Sequence, residues 1–338
     1  MKAAILHDGG ELDIREVPDA ARDGWAVVAV RAAGVCGTEL HFLDGMIPPP
    51  SESFVLGHEI AGVVQAVPPG SDLSPGDRVA VYNFVGCGKC LWCRTGRESV
   101  CISPQAQLGF SADGGFAELV AAPVENLIKL PEHVSFETAA VLSCSGMTAV
   151  HAARLAEVQL GGTGIVNGVG GVGLMVIQVL VAAGVRAIAV ADSPDKAQLA
   201  TDAGAAEVIV LDGGSGYEGL PDRVRELTGE GADYYFELVG TEETMRAGIR
   251  SLTRRGTAAL IGYTSEELRI HPIDLILSEI RIVSSVAAAR HDLETALRLA
   301  GDGLLSVAID TRYPLDEVNT ALRRLRARDV RGRNVVIF

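Results

Sequence analysis

Alternating apolar and polar positions mark the N-terminal part of the chain as a series of short strands. The alternation predicts strands over residues 2–6, 12–16, 25–31, 60–66 and 78–82. Turn signals such as Asp8-Gly9-Gly10 and Ser74-Pro75-Gly76-Asp77 separate these runs. The pattern predicts a β-rich, barrel-like domain with functional loops.

Near residue 138 the apolar residues begin to recur at helical spacing. A helical pattern covers 139–155, and strands then alternate with helices to about residue 285, with strands at 207–211, 234–237, 258–262 and 281–284. Ser193 as N-cap and Pro194 in the first turn predict a helix that Gly204 ends. This alternation is typical of a parallel, doubly wound sheet whose strands are buried on both faces.

The last stretch of the chain combines two helical patterns with a strand. The helical patterns cover 291–300 and 315–328, and the strand covers 334–338. We expect this stretch to fold back onto the first domain.

Residues 163–192 hold the most informative pattern. A short apolar run leads into a glycine-rich turn, a helical apolar segment follows, and a second apolar run over 187–191 ends in an acid. This is the order of strand, turn, helix, strand and acid in a dinucleotide-binding unit. The residues expected to bind the cofactor in this unit are Gly168, Gly170, Gly171, Val172, Gly173 and Asp192.

The turn and the acid each have a physical reason. Gly168 permits the tight turn, Gly170 lets the backbone approach a diphosphate, and Gly173 lets the helix pack closely on the strand. The free N–H groups at the helix N-terminus face the diphosphate. Asp192 would bind both ribose hydroxyls and repel a 2′-phosphate, which favours NAD over NADP. The alternative is a glycine-rich turn in an α/β domain that binds no nucleotide.

Length and charge limit the classes of function. A chain of 338 residues suits about two domains. A net charge of −14 argues against a nucleic-acid surface, which needs clustered Lys and Arg. The N-terminal residues lack the apolar region of a signal peptide. The apolar stretch 165–185 is long enough for a membrane span, but its glycines and Asn167 fit the nucleotide unit better. We expect a soluble cytoplasmic protein without membrane or nucleic-acid partners.

Four of the six cysteines lie close together in one loop. They are Cys87, Cys90, Cys93 and Cys101, spaced CxxCxxCx7C. Four thiolates in a compact loop can close a tetrahedral zinc site, whereas disulfides are rare in cytosolic enzymes. An iron–sulfur cluster is the main alternative, but the usual ferredoxin run has a gap of three residues and then Pro. The spacing favours a structural zinc ion.

The other two cysteines, Cys36 and Cys144, stand far apart, with His58 between them in the sequence. Two cysteines and a histidine with an open fourth position can bind a catalytic zinc ion. Spacing alone does not bring these residues together. From the residues alone, core packing or inert thiols remain an open alternative.

Five motifs in order give a resemblance that covers essentially the whole chain. They are GVCGTELHFLDG, VLGHEIAG, the four-cysteine loop, CSGMTA and the GxGGxG unit. Together they resemble the zinc-dependent alcohol dehydrogenases of the medium-chain dehydrogenase/reductase family. The resemblance implies a GroES-like catalytic domain over 1–145 and 285–338, and a Rossmann NAD-binding domain over 146–284. Cofactor and substrate would then share the cleft between the two domains.

The resemblance also implies roles for individual residues. Cys36, His58 and Cys144 would bind the catalytic zinc ion, with Glu59 close behind it. Thr38 would take the proton of the alcohol and pass it through the nicotinamide ribose to His41, while a hydride passes to NAD. The remaining cofactor contacts implied are Thr148 beside the nicotinamide, Arg333 near the diphosphate and the zinc thiolate, and Lys196 near the adenosine ribose.

Some positions depart from the usual family pattern, and one of them, Glu39, bears on the zinc site. Glu39 stands where an Asp usually orients the zinc-binding histidine, so an extra methylene has to be accommodated. We expect Glu39→Gln to weaken zinc retention.

The resemblance predicts an NAD-dependent zinc alcohol dehydrogenase with two zinc ions per chain and a small-molecule substrate, favouring a secondary alcohol or a polyol. Three alternatives differ in class: a zinc-free quinone or enone reductase, a non-catalytic NAD-binding protein, and an iron–sulfur redox protein. Family members are dimers or tetramers, and the last Rossmann strand, near 280–286, would pair across a two-fold axis. The sequence leaves the substrate and the choice between dimer and tetramer open.

Overall fold

A computed structural model of the chain describes residues 1–7, 10–51, 53–211 and 216–338. The chain forms two compact units. One comprises Met1–Met147 with Ala289–Phe338, and the other comprises Thr148–Ala288. The turn expected at Asp8-Gly9-Gly10 lies largely outside the described residues, because residues 8 and 9 are not among them.

The N-terminal part of the first unit consists mostly of short strands. In chain order its elements are β1 (Lys2–Leu6), β2 (Leu12–Glu16), β3 (Ala26–Gly34), α1 (Gly37–Leu43), β4 (Phe54–Val55), β5 (Glu59–Ala66), β6 (Arg78–Val81), β7 (Phe84–Val85), α2 (Leu91–Arg94), β8 (Ala106–Gln107), β9 (Leu119–Ala122), β10 (Leu127–Lys129) and α3 (Phe136–Val141). A π-helical turn, Leu142–Gly146, follows α3.

The second unit alternates helices and strands. Its elements, counted from the helix that enters it, are α4 (Met147–Leu155), β11 (Thr163–Asn167), α5 (Gly171–Ala182), β12 (Arg186–Ala191), α6 (Pro194–Asp202), β13 (Glu207–Val210), α7 (Leu220–Thr228), β14 (Ala232–Glu237), α8 (Glu242–Arg250), β15 (Leu252–Leu260), α9 (Pro272–Ile276) and β16 (Arg281–Ser284). The strand order is β13-β12-β11-β14-β15-β16, and each neighbouring pair is parallel. This order confirms the expected doubly wound sheet.

The C-terminal stretch returns to the first unit, as expected. It consists of α10 (Arg290–Gly301), β17 (Ile309–Pro314), α11 (Val318–Arg326) and β18 (Arg333–Ile337). β18 pairs antiparallel with β3, which places it inside the main sheet β10-β6-β5-β3-β18-β17. This β-rich unit and the parallel sheet of the other unit confirm the predicted fold class, GroES-like plus Rossmann.

The helix expected over 139–155 is interrupted, and the interruption has a local cause. Its middle forms the π-helical turn Leu142–Gly146. The hydroxyl of Ser143 donates to the Ala140 carbonyl at 2.7 Å, and that of Ser145 donates to the Val141 carbonyl at 3.0 Å. Side-chain bonds of this kind compete with the regular helical ladder, and apolar periodicity does not reveal them.

The apolar stretch 165–185 is divided among β11, the glycine turn and α5. Over the part of the chain that the structure describes, none of the helices combines the length and the apolar character needed to cross a bilayer.

Candidate active site and metal centres

The first unit brings together four potential metal ligands that are distant in sequence. The ligand atoms of Cys36, His58, Glu59 and Cys144 all lie within 4.8 Å of one another. The histidine and the carboxylate are buried, and the two cysteines are half-buried. Two sulfurs, one imidazole and one carboxylate are a donor set that suits zinc.

Ends and irregularities of secondary structure position these side chains. Cys36 is the N-cap residue of α1, and His58 directly precedes β5. Cys144 lies on the π-helical turn, which is fixed to β5 because the Ile60 N–H donates to the Ser143 hydroxyl at 3.1 Å. The ligands are therefore held by rigid elements on several sides.

Glu39 links two of the ligands. Its Oε1 lies 2.7 Å from Nδ1 of His58, and its Oε2 accepts a hydrogen bond of 2.9 Å from the Cys36 N–H. The bond to Nδ1 leaves Nε2 of His58 as the nitrogen that can bind a metal. The extra methylene of Glu39 is thus accommodated by a carboxylate that bridges His58 and the α1 N-terminus.

Glu59 and Arg333 form a buried ion pair beside the cysteines. The Arg333 guanidinium contacts Oε1 of Glu59. Oε2 of Glu59 is buried and has no hydrogen-bond partner among the described residues. A Cβ on Gly34 would lie only 1.7 Å from that oxygen, so a residue without a side chain is needed there. An unsatisfied carboxylate oxygen next to two thiols and an imidazole fits a bound cation.

The ionisable groups of the cluster shift one another strongly. Burial lowers the pKa of His58, but the nearby carboxylate and the Cys36 thiol outweigh burial and raise it overall, and the hydrogen bond to Cys36 together with burial raises the pKa of Cys144. Burial raises the pKa of Glu59 to about 8, although the charge of Arg333 acts in the opposite direction. A hydrogen bond with the Cys144 thiol, opposed by burial and supported by His58 and Arg333, holds the pKa of Cys36 well below its ordinary value. A thiol that ionises readily is a good metal ligand.

Thr38 and His41 both lie on α1, close to the cluster. Oγ1 of Thr38 is 3.8 Å from Sγ of Cys36. His41 follows one turn later on the same helix and is half-buried. Cys36, Thr38 and His41 thus follow one another at the start of α1, and all three are half-buried.

The loop that follows β7 brings together the remaining four cysteines. The sulfurs of Cys87, Cys90, Cys93 and Cys101 lie within 4.8 Å of one another. Sγ of Cys87 is 4.0 Å from Sγ of Cys93, and Sγ of Cys90 is 3.8 Å from Sγ of Cys101. Four sulfurs about 2.3 Å from a zinc ion at tetrahedral angles stand about 3.8 Å apart, so the loop has the dimensions of a zinc site.

These distances also bear on the alternatives for the loop. Sulfurs in a disulfide lie about 2.0 Å apart, and all six cysteines are free. In a four-iron cluster each thiolate binds a different iron atom, which would hold the sulfurs farther apart than they are here. Backbone N–H groups of Cys87, Cys90, Cys93 and Ser103 donate to sulfur, as expected for thiolates.

The second unit contains the glycine turn at the carboxyl end of β11. Gly168 has φ of +104°, which favours glycine. A Cβ on Gly173 would lie 2.0 Å from the Gly168 carbonyl oxygen, whereas a Cβ on Gly170 would meet nothing within 4 Å. The protein thus uses Gly173 for close packing and leaves open space at Gly170, where a diphosphate would approach.

The other expected cofactor residues of this unit lie at or near the ends of its helices and strands. Gly171 and Val172 begin α5, with Gly170 as its N-cap. Asp192 follows β12, and its carboxylate pairs with Nζ of Lys196 at 2.7 Å. Partial burial opposes the charge of Asp192, but Lys196 outweighs it and lowers the pKa of Asp192. Thr148 is buried near the start of α4.

Sequence reasoning missed a buried carboxylate close to the glycine turn. Glu237 ends β14, directly opposite Asn167 at the end of β11. Both side chains are fully buried and hydrogen-bonded to each other at 3.0 Å. The available signal was an acid at the end of a predicted buried strand, the same signal that identified Asp192.

Two family models match the chain. The model described as "Alcohol dehydrogenase GroES-like domain" matches residues 22–132, and the one described as "Zinc-binding dehydrogenase" matches residues 171–302. The two matches fall on the β-rich part and the parallel-sheet part of the chain, respectively.

Known proteins are similar over the full length. An alcohol dehydrogenase of Moraxella sp. is 33% identical over 347 residues, covering 100% of this chain and 99% of the relative. An acryloyl-coenzyme A reductase of Metallosphaera sedula is 32% identical over 337 residues, covering 96% of each. The crystal structure of an alcohol dehydrogenase from Aeropyrum pernix is 32% identical, covers 100% of both chains and superposes with a TM-score of 0.89.

Proposed function

The chain belongs to the alcohol dehydrogenases of the medium-chain dehydrogenase/reductase family, and from this membership we propose that it is a zinc-dependent enzyme that transfers a hydride between an alcohol and NAD. The observation that carries the proposal is the cluster of Cys36, His58, Glu59 and Cys144, whose ligand atoms lie within 4.8 Å of one another. A protein that only binds NAD would need neither this cluster nor the hydroxyl of Thr38 beside it.

The residues of the first unit have separate tasks in this reaction. Cys36, His58 and Cys144 hold a zinc ion, which when bound acts as a Lewis acid that makes the alcohol more acidic. Thr38 accepts the hydroxyl proton of the alcohol at its Oγ1 and donates its own proton onward. His41, half-buried one turn later on α1, receives that proton and returns it to water.

Two further residues set the charge and geometry of this site. Glu39 holds the ring of His58 in one orientation and one tautomer through the bond to Nδ1. Arg333 offsets the negative charge of the thiolates and of Glu59. Glu59 belongs to the same cluster, and its unpaired Oε2 would give the site a further potential ligand.

The second unit provides the cofactor site. The N–H groups at the start of α5 bind the diphosphate, and Asp192 binds the adenosine ribose and disfavours NADP. Lys196, paired with Asp192, would lie beside the same ribose. Thr148 would pack by the nicotinamide, and Arg333 would also contact the diphosphate. We assign the catalytic role to residues 1–145 and 285–338 and the NAD-binding role to residues 146–284.

The four-cysteine loop supports a second, structural zinc ion. Its sulfur–sulfur distances of 3.8 and 4.0 Å match a tetrahedral site with all four positions filled by protein. We therefore assign two zinc ions to each chain, of which only the one at Cys36, His58 and Cys144 has a position left for substrate.

We favour a secondary alcohol or a polyol as substrate. The side chain of Asn83 is buried, and its Oδ1 has no hydrogen-bond partner among the described residues. The backbone carbonyl of Asn83 accepts a hydrogen bond of 2.9 Å from the Leu108 N–H. Leu108 stands two residues before Phe110, whose ring centroid lies 5.2 Å from that of the His58 ring. An unpaired amide oxygen on a segment that is hydrogen-bonded to the one leading to Phe110 supports a substrate with a second polar group.

NADH formation from NAD⁺ with a panel of primary, secondary and polyhydroxy alcohols tests the proposal, with NADP⁺ as the comparison. We expect turnover with NAD⁺ that stops when the zinc is removed and returns when it is added back. Absence of turnover across the panel in a preparation with two zinc ions per chain would contradict the proposal.

The similarity to an acryloyl-coenzyme A reductase favours a second candidate function, the reduction of a carbon–carbon double bond conjugated to a carbonyl. NADH consumption with α,β-unsaturated carbonyl compounds distinguishes the two. A reductase of this kind would consume NADH with the unsaturated substrate and form none from the alcohol panel.

We also expect a homodimer or a homotetramer. β16 is the edge strand of the parallel sheet, and Ile276 and Leu277 nearby are 70% and 75% exposed. An open edge beside exposed apolar side chains is suited to pairing with a second copy. Light scattering on the purified protein measures the assembly directly.

A further inference from the structure

A chain of hydrogen-bonded polar side chains, from the half-buried Tyr217 to the fully buried Glu237, crosses the carboxyl edge of the parallel sheet. Tyr217 donates a hydrogen bond of 3.0 Å to Oδ1 of Asn167, and Nδ2 of Asn167 donates one of 3.0 Å to Oε2 of Glu237. Asn167 and Glu237 are fully buried. Because a carboxylate only accepts hydrogen bonds, Glu237 fixes which end of the Asn167 amide faces Tyr217.

The Glu237 carboxylate accepts hydrogen bonds from five groups. The groups within hydrogen-bond distance are the amide of Asn167, the hydroxyls of Tyr235 and Thr244, and the backbone N–H groups of Val239 and Gly240. Such a network stabilises a buried carboxylate and holds its side chain in one orientation. Glu237 thereby fixes the connection between β14 and α8.

This connection packs directly against the glycine turn. The Leu238 N–H donates to the Asn167 carbonyl at 3.1 Å. A Cβ on Gly168 would lie 3.3 Å from Cβ of Leu238 and 3.3 Å from Cγ2 of Val239. The residue before the turn and the surface against which the turn packs are therefore held by the same carboxylate.

Tyr217 adds a third segment to this edge. It lies in a short 3₁₀ turn, Tyr217–Gly219, and its N–H donates to the Glu243 carboxylate on α8 at 3.0 Å. Burial raises the pKa of Tyr217 to about 12, with contributions from the charges of Glu237 and Asp192. The hydroxyl thus lies within electrostatic reach of both acids, at the edge where a nucleotide binds in such sheets.

We propose that Tyr217, Asn167 and Glu237 form a positioning relay that shapes the glycine turn of the cofactor site before NAD binds. The inference rests on the proposed NAD-linked function of this unit. Tyr217 is a positioning residue in this relay: it acts on the glycine turn through Asn167, which directly precedes Gly168.

Binding of NADH to the full chain, followed by fluorescence, tests the relay without a known alcohol. In Tyr217→Phe the ring stays and only one hydrogen bond is lost, so we expect the Kd for NADH to rise about three- to tenfold. With any alcohol that is turned over, KM for NAD⁺ should rise by a similar factor while kcat at saturating NAD⁺ stays unchanged.

Tyr234→Phe is the matched control. The Tyr234 hydroxyl accepts a hydrogen bond of 2.9 Å from the Gln159 N–H, near the opposite, amino end of β14. Tyr234→Phe removes the hydroxyl of a tyrosine in the same unit, with its contacts to the Gln159 N–H and the Glu157 carbonyl, but it should leave the Kd for NADH unchanged. An equal loss of affinity in both variants would show a general effect of stability and overturn the relay.

Asn167→Leu completes the experiment. It removes both links at once, so adding Tyr217→Phe to it should cause no further loss of affinity. If the losses of affinity from the two changes add fully in the double variant, the inference is overturned. An unchanged Kd in Tyr217→Phe would also overturn it. If the leucine variant does not fold, the Kd of Tyr217→Phe decides alone. If the unaltered protein binds no NADH, it is the proposed function that fails.

Discussion

Oε1 of Glu39 lies 2.7 Å from Nδ1 of His58, and both side chains are almost completely buried. The second oxygen of the same carboxylate accepts the Cys36 N–H, so one acid orients two ligands of the catalytic cluster. A glutamine at this position keeps the size but turns one acceptor into an NH₂ donor. That NH₂ group faces either the backbone N–H of Cys36 or the ring N–H of His58, and each of these is itself a donor.

We therefore expect Glu39→Gln to lose affinity for one of two zinc ions by roughly 10- to 100-fold. Zinc content per chain after dialysis against a graded chelator measures this. Glu39→Asp keeps the charge but shortens the reach, and it should fall between glutamine and the unaltered protein. Two firmly held zinc ions in Glu39→Gln would refute the assigned role.

The hydroxyl of Thr38, 3.8 Å from Sγ of Cys36, gives a second prediction. Thr38→Ala removes the group that takes the proton of the alcohol, so kcat should fall by roughly 10²- to 10⁴-fold. Thr38→Ser keeps the hydroxyl and should retain most of the rate. Zinc content and the Kd for NADH should not change in either variant, and a Thr38→Ala enzyme of normal rate would exclude a role for this hydroxyl.

The four-cysteine loop should affect stability separately from catalysis. Cys93→Ser leaves three thiolates for the structural zinc ion. Because metal binding is coupled to folding of the loop, we expect a lower Tm and one zinc ion per chain. Cys144→Ser should also leave one zinc ion per chain, but with activity abolished and Tm less affected. Equal effects on Tm and activity in the two variants would contradict separate roles for the two centres.

Much of the fold follows from local patterns. Glycines, caps and apolar runs were sufficient for the unit around Gly168 and for the helix that begins after Ser193, because these signals act within a few residues. The boundaries of longer elements were harder to predict, as in the π-helical turn at Cys144. There the serine hydroxyls, and not the apolar period, decide the geometry.

The site was less accessible to such reasoning. Cys36, His58 and Cys144 are separated by long stretches of sequence, and spacing contains no information about pairings as distant as that of β3 with β18. The resemblance to a family predicts this set of ligands, and the structure brings their ligand atoms together. The link between Tyr217 and Asn167 had no signal at all, since a tyrosine after a turn and an asparagine in an apolar run are each ordinary.

Asp192 provides the last prediction, on the choice of cofactor. Its carboxylate follows β12 and is paired with Lys196 at 2.7 Å, with about half of the acid side chain exposed to solvent. A carboxylate at this place accepts from ribose hydroxyls and repels a 2′-phosphate. In Asp192→Ala this repulsion is lost, and Lys196 no longer pairs with the acid and can attract the 2′-phosphate. The ratio of kcat/KM for NAD⁺ to kcat/KM for NADP⁺ should therefore fall by roughly 10- to 100-fold.

Asp202→Ala is the control for this change of charge. Asp202 ends the helix that follows Asp192, is exposed, and accepts a hydrogen bond from the Gln198 amide at 2.8 Å. Removing it changes the net charge equally without touching the ribose site, so the preference should stay as it is. If both variants keep their preference for NAD⁺, selection against NADP⁺ does not come from Asp192. If both lose it equally, the long-range charge of the protein decides instead.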